Sequence, residues 1–243
     1  MTFNLSISTS AIRYVHVVRG NHAQCQIMSS KPDFKQDDEF IVQEGPDFLT
    51  VVQKTTSVRN GGNVIVQSGR GNVMNFFGRV FTGTVINGDL VGRGGDVQTT
   101  DERPDITIMV PQGDVSLKMN VSGNGEYVLC DMKDGDITVT GNADIEIEKF
   151  TGDNVSMTVT GNATIASKQS GPVNAKVTGN GTIKCENVTG NVNASVTGNG
   201  DISMSGNIND VRASVTGNGD ITLRGVTGNV SKNVTGNGDI TIR

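Results

Sequence analysis

The sequence has no tryptophan, few aromatic residues and little leucine. Aromatic residues make up 4% of the chain, and 6 leucines stand against 31 valines. Leucine is common in helices, whereas the β-branched valine favours strands and loses side-chain rotamers in a helix. The composition therefore predicts an all-β protein and excludes a helical bundle or a coiled coil.

Long apolar runs are also missing. No stretch approaches the roughly 18 apolar residues that a membrane-spanning helix requires. The first residues, Met1-Thr-Phe-Asn-Leu-Ser-Ile-Ser, lack the basic start and continuous apolar segment of a secretory signal. We therefore predict no membrane span and a cytoplasmic or virion-associated protein, or a cell-surface protein if a signal has been removed.

Residue types that often carry chemistry are scarce. The three cysteines, Cys25, Cys130 and Cys185, lie far apart, which argues against a disulfide framework or a zinc site. The two histidines suggest no nucleophile–base arrangement, so we predict no catalytic residue and no enzyme activity. A net charge of −5 argues against nucleic acid as a partner.

Glycine is abundant instead, at 32 residues, and much of it belongs to a repeat. The phrase Val-Thr-Gly-Asn-Gly recurs with small changes about every 19 residues. Its first glycine falls at Gly123, Gly141, Gly161, Gly179, Gly198, Gly217 and Gly236. A nearly constant step of this length is typical of a repeat architecture.

Each repeat unit contains two short segments in which apolar and polar residues alternate, which is the pattern of a half-buried strand. The unit is too short for a propeller blade and matches one coil of a β-solenoid. We predict a single-stranded β-helix with coils of about 19 residues. Four asparagines of the turns, Asn180, Asn199, Asn218 and Asn237, are predicted to form a structural ladder between coils.

The regularity of the repeat divides the chain in two. Residues 106–243 are predicted to form the regular solenoid. Residues 1–105 show strand-like alternation interrupted by glycine-rich and charged stretches. We predict that they form an irregular β region that caps the solenoid and is continuous with it.

Two phrases resemble a known family. The segment Ile106-Thr-Ile-Met-Val-Pro, followed by an Asp-Val strand and the Gly-Asn-Gly turns, resembles bacterial adhesins of the head-GIN-domain type. The resemblance implies a right-handed β-solenoid and a binding or adhesion role.

Three aspartates, Asp201, Asp220 and Asp239, recur at the same position of the last coils. Stacking at about 4.8 Å would bring their carboxylates close together. Aspartate after Asn-Gly commonly stabilises a turn through backbone hydrogen bonds. The alternatives are a calcium site, since stacked carboxylates suit a hard cation, and a glycosidase-like carboxylate pair.

The irregular region holds a second cluster of candidate residues. Three phenylalanines lie near two arginines there, and a plug at the end of the solenoid is the alternative to a binding patch. The cluster consists of Arg70, Phe76, Phe77, Arg79 and Phe81.

Several functions are compatible with this sequence. A non-enzymatic binding or adhesion module would present a rigid, repetitive surface to a glycan or a protein. The alternatives are a structural or self-assembling scaffold component, as in a virus or phage, and a carbohydrate-active β-helix enzyme. Because a solenoid end exposes unpaired backbone groups, we also predict a homo-oligomer.

Overall fold

The computed structural model describes residues 2–31, 33–54, 84–86, 89–91 and 103–243. Within these ranges the chain is almost entirely strand, with one helical turn, α1 (Gln36–Glu39). The N-terminal strands are β1 (Phe3–Arg19), β2 (Gln24–Met28), β3 (Phe40–Glu44), β4 (Phe48–Gln53), β5 (Thr84–Ile86), β6 (Asp89–Val91) and β7 (Asp105–Val110). The repeat region contains β8 (Val115–Leu129), β9 (Asp134–Gly141), β10 (Asp144–Ile147), β11 (Val155–Gly161), β12 (Thr164–Ser167), β13 (Val173–Gly179), β14 (Thr182–Gly198), β15 (Asp201–Gly217), β16 (Ile221–Val226), β17 (Val230–Gly236) and β18 (Ile240–Ile242).

The repeat region is a stack of parallel coils with two principal faces. Face A consists of β9, β11, β13, the second halves of β14 and β15, and β17. Face B consists of β10, β12, the first halves of β14 and β15, β16 and β18. Both faces continue into β8, whose two halves pair with β9 and β10. The predicted all-β solenoid with coils of about 19 residues is confirmed.

The repeat places equivalent residues directly above one another. Ile202 pairs in register with Ile221, which pairs with Ile240, and all three side chains are buried. On face A, Val196 pairs with Val215 in the same way. Alternate residues therefore point into a continuous apolar interior, and the residues between them form polar columns outside.

The N-terminal strand lies inside the stack. β1 pairs in parallel with β8 on one side and with β4 and β7 on the other. Beyond these, β2 pairs antiparallel with β7, and β3 pairs antiparallel with β4. β5 and β6 form a separate antiparallel pair. The predicted boundary between residues 105 and 106 stays a prediction.

Among the residues that the structure describes, one buried polar side chain lacks a hydrogen-bonding partner. Ser170 is 1% exposed, and its hydroxyl makes no hydrogen bond to the described residues. Its neighbour along the stack is Val188. A buried hydroxyl without a partner has lost its hydrogen bonds to water without replacing them, which is unfavourable.

We therefore expect Ser170→Ala to raise the free energy of unfolding by about 1 kcal/mol. Urea unfolding followed by circular dichroism measures this change. Ser167→Ala is the matched control, because Ser167 is also a buried residue, at 3% exposed, but its hydroxyl donates to the Gln169 carbonyl at 2.9 Å. The control should lose stability, and an equal loss in both variants would contradict the interpretation.

Candidate functional site

The cluster predicted near the glycine-rich region is not among the residues that the structure describes. All five of its members, Arg70, Phe76, Phe77, Arg79 and Phe81, lie between residues 55 and 83. Their role as a binding patch stays a prediction.

The three predicted aspartates lie in one column at the turn that precedes face B. The Oδ1 atom of Asp201 accepts a hydrogen bond from the backbone N–H of Asp220 at 3.1 Å. The Oδ1 atom of Asp220 accepts one from the N–H of Asp239 at 2.8 Å. The carboxylates of Asp201 and Asp220 therefore each bind the backbone of the next coil.

The last carboxylate of this column is bound differently. The Thr241 hydroxyl donates to Asp239 Oδ2 at 2.7 Å, and this hydrogen bond lowers the pKa of the Asp239 carboxyl. Within the described ranges no group of three His, Cys, Asp or Glu side chains is arranged to hold a metal ion. Calcium binding at this column stays a prediction.

The asparagines of the Gly-Asn-Gly turns form a chain of side-chain hydrogen bonds. Asn180 Nδ2 donates to Asn162 Oδ1 and Asn199 Nδ2 to Asn180 Oδ1, both at 3.1 Å, and Asn218 Nδ2 donates to Asn199 Oδ1 at 2.9 Å. The chain continues through Asn142 to Asn124, at 2.9 and 3.0 Å. At Asn237 the backbone N–H donates to the Gly217 carbonyl at 2.9 Å. This column of hydrogen bonds joins successive turns of the solenoid.

Burial disfavours the ionised form of all three cysteines. Burial raises the pKa of the Cys25 and Cys185 thiols to about 12 and that of Cys130 to about 11. The thiolate is the reactive form, so these side chains are unreactive near neutral pH.

A groove that the sequence analysis missed runs along face A, at the edge where the chain enters β13, the second halves of β14 and β15, and β17. Its volume is about 510 Å³. The buried side chains of Val173, Val192 and Val211 lie between two polar columns that line it. One column, on the sheet, is Asn174, Asn193, Arg212 and Ser231, and the other, on the turns, is Pro172, Asn191, Asp210 and Asn229.

The groove continues toward the N-terminal end of the solenoid. A second depression of about 320 Å³ follows it along the same edge, and Asn174 lines both. The depression is lined by residues of β8, β9 and β11, including Asp134 and Asp136. Polar side chains are therefore available along most of one edge of face A.

The two columns of the groove differ in their hydrogen bonding. On the turns, Asp210 N–H donates to Asn191 Oδ1 at 3.2 Å, and Asp210 Oδ1 accepts from the N–H of Asn229 at 2.8 Å. On the sheet, Asn174, Asn193 and Arg212 are exposed and make no side-chain hydrogen bond to the described residues. The turn column therefore stabilises the wall, while the sheet column is free to contact a ligand.

One pattern in the sequence points to this groove. The residues before and after the recurring valine, as in Asn191-Val-Asn193 and Asp210-Val-Arg212, are polar in successive coils. The pattern predicts two exposed columns but not the concave surface between them.

Comparison with solved structures agrees with the fold. A crystal structure described as a putative lipid binding protein from Parabacteroides distasonis matches with a TM-score of 0.56 at 14% sequence identity, covering 99% of this chain and 92% of that one. A putative cell adhesion protein from Clostridium sporogenes covers 100% and 92% at 11% identity, with a TM-score of 0.33, too low to indicate a shared fold. No curated protein sequence matches the chain.

Residues 183–243 match an adhesin family. The matching family is described as "Putative auto-transporter adhesin, head GIN domain". The predicted resemblance is thereby confirmed for this adhesin-like segment, which contains Asn191, Asn193, Asp210 and Arg212 of the groove. No helix within the described ranges has both the length and the apolar character that crossing a membrane demands.

Proposed function

We propose that the protein is a non-enzymatic binding module of the adhesin type, which acts at a cell surface and holds an extended glycan in the groove of face A. The observation that carries this proposal is the free polar column of Asn174, Asn193 and Arg212 beside a row of buried valines. The match of residues 183–243 to an adhesin family supports a binding role.

The geometry of the groove suits a linear ligand. Its side chains recur once per coil, at about 4.8 Å. This spacing is close to the length of one hexose in an extended glycan chain, so successive sugars would meet equivalent side chains. Carboxamide groups both donate and accept hydrogen bonds and therefore pair well with neighbouring hydroxyls.

Binding to a glycan microarray tests the proposal. We expect the labelled protein to bind a subset of linear glycans, and Asn193→Trp to abolish that binding by filling the groove. Ser203→Trp is the control, because Ser203 is exposed and points outward on face B. Failure to bind any glycan, or equal binding by both variants, would overturn the proposal.

The non-enzymatic part of the proposal has its own test. Bound glycans should keep their chain length after prolonged incubation with the protein, as measured by mass spectrometry. New chain ends would show that the protein is an enzyme.

The predicted homo-oligomer stays a prediction. In β17, Val230 and Val234 are 43% and 41% exposed, whereas the equivalent Val211 and Val215 are buried. A second copy of the chain would pack against the apolar surface of these two valines.

A further inference from the structure

Arg212 is a cation that lines the groove. It lies on β15 between Asn193 of β14 and Ser231 of β17, in register with both. Its side chain is exposed and forms no ion pair with the described residues. By contrast, Arg13 and Arg19 are paired with Asp105 and Asp131.

Asp210, the acid that lines the groove, forms no ion pair with Arg212. Asp210 lies in the neighbouring column, where its Oδ1 atom accepts hydrogen bonds from both the N–H and the Nδ2 of Asn229. That carboxylate is therefore directed along the turn column. The guanidinium of Arg212 keeps its planar set of donors available for a ligand, and this geometry matches the two oxygens of a carboxylate or sulfate.

A second unpaired cation lies farther along the same face. Lys176 is exposed on β13, two coils from Arg212 and two residues farther along the strand, and pairs with no acid among the described residues. Two coils correspond to about 10 Å along the solenoid. An extended glycan with an acid group on every second sugar would bring one group near each cation.

The overall negative charge does not prevent such binding. The net charge is −5, but fields between exposed charges fall off within about 8 Å at physiological ionic strength. Asp136 lies in the same column as Arg212 but four coils away, beyond that distance. The groups close to Arg212, rather than the net charge of the protein, therefore determine whether an acid group binds to it.

We propose that the ligand of the groove is a linear acidic glycan, and that Arg212 binds its acid group. This inference rests on the proposed glycan-binding function and names the class of glycan. Asn174 and Asn193 would contact the neighbouring hydroxyls. Arg212 accordingly selects for charge, while the asparagines contribute to binding of any sugar chain.

The test measures binding of the full chain to three polymers by biolayer interferometry: polygalacturonate, dextran sulfate and neutral dextran. We expect an acidic polymer to bind and the neutral one to bind at least about tenfold more weakly. Tighter binding of polygalacturonate identifies the acid group as a carboxylate, and tighter binding of dextran sulfate identifies it as a sulfate. Affinity for the acidic polymer should fall as salt is raised.

Variants of the arginine then locate the contact. Arg212→Ala should weaken binding of the acidic polymer about tenfold, and Arg212→Lys should restore only part of it because the planar fork is lost. Arg224→Ala is the matched control, since Arg224 is also exposed and forms no ion pair with the described residues, but lies on β16 of face B. Circular dichroism checks that all three variants remain folded.

The outcomes separate the two proposals. If Arg212→Ala and Arg224→Ala weaken binding equally, the inference about Arg212 is overturned. If neutral glycans bind in the groove as well as acidic ones, the acidic class is wrong while the proposed function stands. If no glycan binds at all, both proposals fail.

Discussion

Replacing Gly198 by alanine is expected to lower the free energy of unfolding by at least about 3 kcal/mol. Gly198 has a φ of +118°, a backbone conformation that residues with a side chain rarely adopt. A Cβ atom at this position would lie 2.6 Å from the carbonyl oxygen of Gly179 in the preceding coil. The stacked coils leave no room for either backbone to move away.

Gly113→Ala separates the cost of the backbone conformation from the cost of the contact between coils. Gly113 also has a positive φ, +105°, but a Cβ atom there would meet nothing within 4 Å. We expect it to lose only the conformational part, about 1–2 kcal/mol. Urea unfolding of both variants gives the difference, which is the contribution of the contact between coils. Equal losses would mean that close stacking does not require glycine.

The same stacking explains why the sequence predicts this fold so well. Each side chain of one coil lies on its equivalent in the next, so the residue pattern is repeated wherever the environment is repeated. Ile202, Ile221 and Ile240 share one buried column, and their spacing alone predicts their contact. The Gly-Asn-Gly turns are predictable for the same reason, because the turn conformation recurs in each coil.

The N-terminal coils are less predictable because their contacts are not repeated. At the irregularity in β1, the Gln53 side chain accepts hydrogen bonds from the N–H groups of Ser10 and Ala11 at 2.8 and 2.9 Å. It also donates to the Ala11 carbonyl at 3.2 Å. The Gln53 side chain thereby takes the place of backbone hydrogen bonds to Ala11, which lies 42 residues earlier in the sequence. No local pattern marks Gln53 for this role.

The groove was missed for a related reason. The exposed columns at Asn191 and Asn193 follow from the alternation of polar and apolar residues. Whether the surface between two columns is flat or concave depends on the path of the turn, which the alternation does not describe. The residue before the recurring valine is Pro172 in one coil and Asp210 in another. Candidate binding residues are therefore visible in the sequence, but the site that they form is not.

Replacing Arg19 by methionine is expected to lower the free energy of unfolding by about 2–3 kcal/mol. Arg19 connects two turns at the N-terminal end of the repeat region. Its Nη1 atom donates to the carbonyls of Pro111 and Gly113 at 2.7 and 2.8 Å. Its Nη2 atom donates to the Asp131 carbonyl at 2.8 Å, and Nε and Nη2 each reach an oxygen of the Asp131 carboxylate at 3.2 Å. Methionine keeps most of the apolar stem and removes all of these donors.

Part of this loss should depend on pH. The hydrogen bond from Arg19 lowers the pKa of the Asp131 carboxyl below its value in the unfolded chain. A carboxyl whose pKa is lowered on folding stabilises the protein above its unfolded pKa, near 3.9, and this contribution disappears as the pH falls through the folded value. The stability difference between the wild-type protein and Arg19→Met should therefore be larger at pH 7 than at pH 3, as measured by urea unfolding.

Arg13→Met is the matched control for this measurement. Arg13 also pairs with an aspartate, Asp105, but its side chain is 52% exposed, against 18% for Arg19. An exposed ion pair contributes at most about 1 kcal/mol, because water already solvates both charges. The control should therefore lose little stability. If both variants lose the same amount, or if the Arg19 difference does not change with pH, the contacts to Asp131 do not stabilise the protein as the geometry indicates.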